Sequence, residues 1–177
     1  VARELAAAAR TAVKVPSPRV TEASPSIEEH VGIEVTDPVL CPRFTARMIV
    51  DVKVGPSPSW LARRLEACGV RSINNIVDVT NYVMLEMGQP MHAFDYDRLA
   101  GGRLVVRRAR PGERLTTLDG VERTLDPETL VVADAEQAAG IAGVIGGGPT
   151  EITAQTRRVL LEAASWHPAT IRRTSRR

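Results

Sequence analysis

Between Arg71 and Asp95 the sequence runs RSINNIVDVTNYVMLEMGQPMHAFD, a helical pattern interrupted by amides, hydroxyls and a carboxylate. Ile76, Val79, Val83 and Met87 recur at helical spacing and predict one apolar stripe on a helix of about four turns. Asn74 or Asn75 is placed to cap its start, because a short amide side chain accepts from the orphan N–H groups there. Gly88 ends it, Pro90 blocks a restart, and His92 follows in a turn before Phe94. Asn74, Asp78 and Asn81 fall close together on this helix, and Thr80 sits beside them. A helix that only packs against a core needs few such groups beside its apolar seam. The pattern predicts one wall of a pocket, with His92 brought back over it by the Gln89-Pro90 turn.

The remaining segments place this helix in a mixed fold. Val1–Val15 reads as a short alanine-rich helix, and Lys14–Ser26, with Pro16, Pro18 and Pro25 among serines, has linker composition. Val31–Thr36 and Phe44–Val54 read as strands. Ser57 and Pro58 open a second helix whose buried side is Trp60, Leu61, Leu65 and Cys68, closed by Gly69. Beyond the organising helix come strands at Arg103–Ala109, Leu130–Ala135, Ile141–Ile145 and Val159–Ala164. Leu115–Leu125 is a hairpin around Asp119-Gly120, a dipeptide suited to a tight primed turn. Strands and helices do not alternate regularly. The expected class is therefore α+β, mixed sheets packed with helices in a layered sandwich, after a short N-terminal helix and linker.

At 177 residues the chain can hold one domain with a sizeable core, or one domain and a fragment. A net charge of +2 hides two arginine-rich runs, 98–114 and 157–177, each with six arginines. Either run is a solvated face or, taken with the other, part of a surface for a polyanion. Aromatic residues make up only 3%, which speaks against a stacking platform for single-stranded nucleic acid. Cys41 and Cys68 stand in no metal-ligand spacing and suggest a reducing cytosol without a disulfide framework. No apolar run approaches membrane-spanning length. The chain starts at Val1 without methionine and stops at IRRTSRR, as expected of a piece of something longer.

Three features are candidates for chemistry, and each also has a plain structural reading. His92 can be a structural hydrogen bonder or part of a site. Glu162 lies in the apolar strand LLEAA; it either points to water or points inward, where an unpaired carboxylate would need a donor. A bound phenol hydroxyl would be such a donor. AGVIGGG at 142–148 is a tight strand-to-turn passage, and it lacks the spacing of a phosphate-binding loop. No nucleophile–base–acid set and no metal site is visible, so ester hydrolysis here would rest on positioning a water.

INNIVDVTNYVMLEMGQPMHAFD resembles the core signature of the bacterial phenylalanyl-tRNA synthetase beta subunit, in the module that edits mischarged tRNA. The likeness continues through RRARPGERLTTL (107–118), LVVAD (130–134), AGVIGG (142–147) and LLEAA (160–164). It implies that residues 1–30 are the trailing helix and linker of a preceding domain, and 31–177 the editing module. His92 is then at the rim of the editing pocket, with Thr80 and Asn81 beside it as catalytic-site residues. Glu162 recognises the para-hydroxyl of a tyrosyl group, while Ala142, Gly143 and Ala164 line the amino-acid pocket and keep it open. Gly148 and Pro149 depart from the commoner pattern. The implied activity is hydrolysis of tyrosine wrongly attached to the phenylalanine tRNA; the alternative is a non-catalytic scaffold that orients tRNA and subunits. The implied partners are that tRNA and an alpha subunit, in an α2β2 cytoplasmic enzyme with no membrane contact. No cofactor is expected on this piece. ATP and Mg2+ would serve the parent synthetase on other domains.

Overall fold

The computed structural model describes residues 1–176. It opens with a helix, Ala2–Ala8 (α1), of which only Ala6 is buried, and an irregular stretch leads to the first strand. The elements that follow are Gly32–Val35 (β1), Arg43–Ile49 (β2), Ser59–Ala67 (α2), Asn75–Met87 (α3), His92–Asp95 (β3) and Arg103–Arg108 (β4). Next come Arg114–Thr116 (β5), Glu122–Thr124 (β6), Leu130–Ala133 (β7), Ala138–Ile141 (β8), Ile145–Gly146 (β9), Val159–Ser165 (β10) and Pro168–Thr174 (α4). A five-stranded sheet has the order β1-β4-β7-β8-β9, with β1 parallel to β4 and the other pairs antiparallel. A three-stranded antiparallel sheet has the order β2-β10-β3, and β5 and β6 form a separate hairpin. The expected α+β class with mixed sheets is what the chain adopts.

Side-chain alternation explains how the two larger sheets stack. In β10, Leu160, Glu162 and Ala164 share one face, and Leu161 and Ala163 the other. Leu160 pairs across the sheet with Phe94 of β3 and Met48 of β2. Leu160 and Phe94 join Leu104, Val106, Leu130 and Val132 of the five-stranded sheet in the main core. Burying each such side chain stabilises the fold by roughly 1.5–3 kcal/mol, so this face is held inward. The opposite face of the small sheet, through Ala93, Val159 and Leu161, packs against Val52, Ile152 and Ile76 of α3. The organising helix is thus outside the sandwich.

That position corrects the reading of its polar residues. Asn74 caps α3 by accepting from the N–H groups of Ile76 and Val77. The Asn75 amide donates to the Lys53 carbonyl and accepts from Gly55 N–H. Asp78 is fully buried and accepts from the hydroxyls of Ser57 and Ser72 and from Ile73 N–H. Burial alone would raise its carboxyl, but these three donors outweigh it and hold the group below the usual carboxylate range. The Thr80 hydroxyl donates to the Val77 carbonyl one turn back. The polar groups therefore stitch neighbouring loops to the helix. Val79 and Met87 of the expected apolar stripe are 48% and 52% exposed.

Other expectations also shift. Ser57 bonds Asp78 and does not cap α2, whose first residue is Ser59. Trp60 and Cys68 are exposed, so α2 buries only Leu61 and Leu65. The hairpin turn is a three-residue loop, closed by a Thr117 N–H to Val121 carbonyl bond, with Gly120 alone at positive φ (79°). The strand expected over Ile141–Ile145 is broken by a turn, in which Gly143 has φ of 64°. The arginine run at 98–114 is largely consumed at home: Arg103, Arg107, Arg108 and Arg114 pair with Glu34, Glu113, Glu128 and Glu122.

Candidate functional site

A cavity of about 390 Å³ opens where the two sheets diverge beyond Leu160 and Phe94. The small sheet contributes His92, Phe94, Glu162 and Ala164 from its inward face. Val132, Gly140 and the turn Ala142–Val144 contribute the opposite wall, and Met91, Leu118 and Trp166 complete the rim. The lining is mostly apolar, so each polar group in it is conspicuous.

Glu162 is the strongest anomaly. Its parity matches Leu160, and it is only 7% exposed. Among the described residues it has no hydrogen-bond partner and no counter-ion, and no buried polar side-chain atom is left unsatisfied, so its carboxyl opens on the cavity. Burial pushes its pKa up to about 8. At neutral pH the group is mainly the uncharged acid, able both to donate and to accept. Directly opposite in register stands His92, whose pKa burial pushes down to about 4. The two titratable groups of the cavity are therefore both neutral at pH 7. Cys41, behind this wall, is held as the thiol: burial, then the Glu162 carboxyl, pushes it up to about 11.

Small residues shape the remaining wall. The His92 ring stands edge-on to Phe94 at 4.4 Å between centroids. A Cβ on Gly146 would collide with His92 Cε1 and lie 2.8 Å from Nε2, so a side chain there would displace the ring. A Cβ on Gly143 would stand 2.9 Å from Trp166 Cδ1, and Trp166 in turn packs edge-on against Phe44. A Cβ on Gly147 would meet the Ala139 carbonyl at 2.6 Å. AGVIGG is thus a closely packed turn and strand whose missing side chains make room for the cavity and for His92.

Residues 40–177 match the B3/4 domain. The chain belongs to the B3/4 domain family. Over all 177 residues it is 53% identical to the phenylalanine–tRNA ligase beta subunit of Anaeromyxobacter dehalogenans and 54% identical to that of Moorella thermoacetica. In each case it spans 22% of the relative's length. An N-terminal fragment of the phenylalanyl-tRNA synthetase beta subunit from Pyrococcus horikoshii shares the fold, with a TM-score of 0.56 at 14% identity. That likeness covers 88% of this chain and 47% of the fragment.

Within this B3/4 domain His92, Glu162, Ala142, Gly143 and Ala164 are brought together around one cavity. Thr80 and Asn81 are not among its lining residues, because α3 packs on the far face of the small sheet and Thr80 spends its hydroxyl on its own helix. Gly146 and Trp166 were missed in the sequence reading. The glycine run pointed to close packing but did not name what packs against it. Among the described residues no group of three or more His, Cys, Asp or Glu is arranged to hold a metal ion. Among the described residues no helix is long and apolar enough to cross a membrane.

Proposed function

We propose that this B3/4 domain hydrolyses tyrosine mischarged onto the phenylalanine tRNA, as part of a phenylalanine–tRNA ligase whose synthetic site lies on an alpha subunit. The observation that carries the reading is Glu162: a buried carboxyl with no protein partner, facing an otherwise apolar cavity. A tyrosyl ring would bury its edges against Phe94, Val132 and Ala164, and its hydroxyl would complete the hydrogen bonding of Glu162. Phenylalanine would leave that group unpaired, and sites of this kind discriminate by on the order of 10⁴.

In the reaction, water oxygen bonds to the ester carbonyl carbon, the carbon–ribose oxygen bond breaks, and the ribose oxygen takes the proton. His92, neutral and fixed between Phe94 and Gly146, serves to position water or ester at the rim. The test compares Tyr-tRNA deacylation by the assembled synthetase with and without Glu162→Ala, with thermal stability and phenylalanine charging as controls. A loss of roughly tenfold to a hundredfold in deacylation is expected, with charging kept. Equal deacylation by two well-folded enzymes would remove Glu162 from the site. A second reading, a scaffold without chemistry, draws on the exposed Trp60, Ile73, Val79, Leu85 and Met87 along α2 and α3. It would prevail if neither protein deacylated Tyr-tRNA.

A further inference from the structure

The structure separates arginines that are engaged from arginines that are free. On and around β4, Arg103, Arg107, Arg108 and Arg114 are held by glutamates, and Arg110 donates to the Glu136 carbonyl. Just before β10, Arg158 is bound to Asp97. Arg172, Arg173 and Arg176, on the last turn of α4 and just beyond it, are exposed and have no partner among the described residues.

These three arginines sit beside the cavity's own wall. Ile171, their neighbour on α4, reaches to 3.3 Å from where a Cβ on Gly143 would stand, and Trp166 at the other end of this segment lines the rim. A second cleft of about 380 Å³ runs from Val144 and Ile145 to Thr174 and Ser175, on the far side of the same turn. Its acid, Asp126, already has a partner. No large apolar side chain is exposed between Ser165 and Arg176. A protein partner would require an apolar centre to its contact, whereas a phosphate backbone requires only fixed positive charge.

We infer that Arg172 and Arg173 of α4, with Arg176 just beyond it, are the contact of this domain with the RNA backbone, guiding the aminoacylated end past the Gly143 turn into the cavity. The arginines of β4 take no part. This rests on the aminoacyl-tRNA reading above, and it assigns the basic surface to one short helix.

The test uses the whole synthetase that carries this sequence and three proteins: wild type, Arg172→Gln/Arg173→Gln/Arg176→Gln, and Arg103→Gln/Arg108→Gln/Arg114→Gln. The exposed ion pairs lost in the last variant are worth little to folding. Deacylation of Tyr-tRNA is measured across a salt series, beside hydrolysis of tyrosyl-adenosine, which has the same ester but no phosphate backbone. Three backbone contacts to a single strand should lower the slope of log kcat/KM against log salt by about 2. At ~0.1 M salt this corresponds to a loss of about a hundredfold, carried by KM, in the α4 variant. The β4 variant should match wild type, and all three should hydrolyse tyrosyl-adenosine equally.

Unchanged slope in the α4 variant, or the same loss in the β4 variant, overturns the inference. So does intact Tyr-tRNA kinetics accompanied by loss of subunit association in sedimentation, which would mark α4 as a protein contact. If wild type hydrolyses neither substrate, the editing reading fails by itself. Filter binding of uncharged phenylalanine tRNA to the same three proteins then decides the inference: a lower salt slope in the α4 variant alone upholds it, and any other pattern overturns it.

Discussion

Glu162 and His92 stand side by side on β10 and β3 as register partners, and neither side chain has a hydrogen-bonding partner among the described residues. They occupy the positions next to Leu160 and Phe94, which form the adjacent inward-facing pair of the same two strands. The core continues into the cavity by exchanging one apolar cross-strand pair for one titratable pair. Burial shifts the two in opposite senses and leaves both uncharged near neutrality.

This has a consequence for stability against pH. Folding raises Glu162 from 4.5 to about 8, so between those values the native state holds a proton that the unfolded state has released. Stability from this group is present below pH 4.5 and falls by about 1.4 kcal/mol per pH unit until the folded group ionises. Glu162→Gln removes that loss. Urea unfolding should find the variant close to wild type at pH 4.5 and more stable by a few kcal/mol at pH 8. The opposite effect of His92, lowered to about 4, is common to both proteins and cancels. Parallel profiles for the two proteins would show that Glu162 is not buried in this way.

Gly146→Ala tests the seating of His92. The added methyl would enter the space of the imidazole, and overpacking of this kind costs roughly 1–3 kcal/mol. Deacylation should fall through the displaced ring. Gly148→Ala serves as the control, since its Cβ would meet only the Thr116 and Thr117 carbonyls, at 3.5 and 3.9 Å, both ordinary contacts. If both variants behave alike, the room at Gly146 has no special role.

Asp78→Ala tests the structural assignment of α3. It leaves the hydroxyls of Ser57 and Ser72 and the Ile73 N–H without their acceptor, at a cost of roughly 3–5 kcal/mol. Thermal unfolding should show a melting temperature lower by roughly 10 °C or more. Glu162 lies across the small sheet, so hydrolysis of tyrosyl-adenosine at low temperature should persist in the fraction that stays folded. Full stability with lost hydrolysis would return Asp78 to the site.

Local chemistry was legible in the sequence wherever it acts within one element. The boundaries of α3 follow from Asn74, which caps it, and Gly88, which takes the left-handed conformation after it. Alternation in LLEAA meant that Glu162 and Leu161 face opposite sides, and the run AGVIGGG signalled close backbone packing. These depend on backbone geometry that repeats over a few residues. The mixed α+β class likewise followed from the irregular order of strands and helices.

What the residues could not decide alone was which side is inside. A strand's two faces become core or surface only when another layer covers one of them, and Leu104, Val106 and Val132, distant in sequence, are that layer for Leu160, whose face Glu162 shares. The same tertiary choice put α3 on the outer face, turned its amides and carboxylate into loop fastenings, and left Val79 and Met87 half in solvent. It also divided the arginines, because whether a guanidinium is free depends on the glutamate that the fold brings beside it. Glu34 reaches Arg103 only because β1 lies parallel to β4, a pairing made across the whole of α2, α3 and β3.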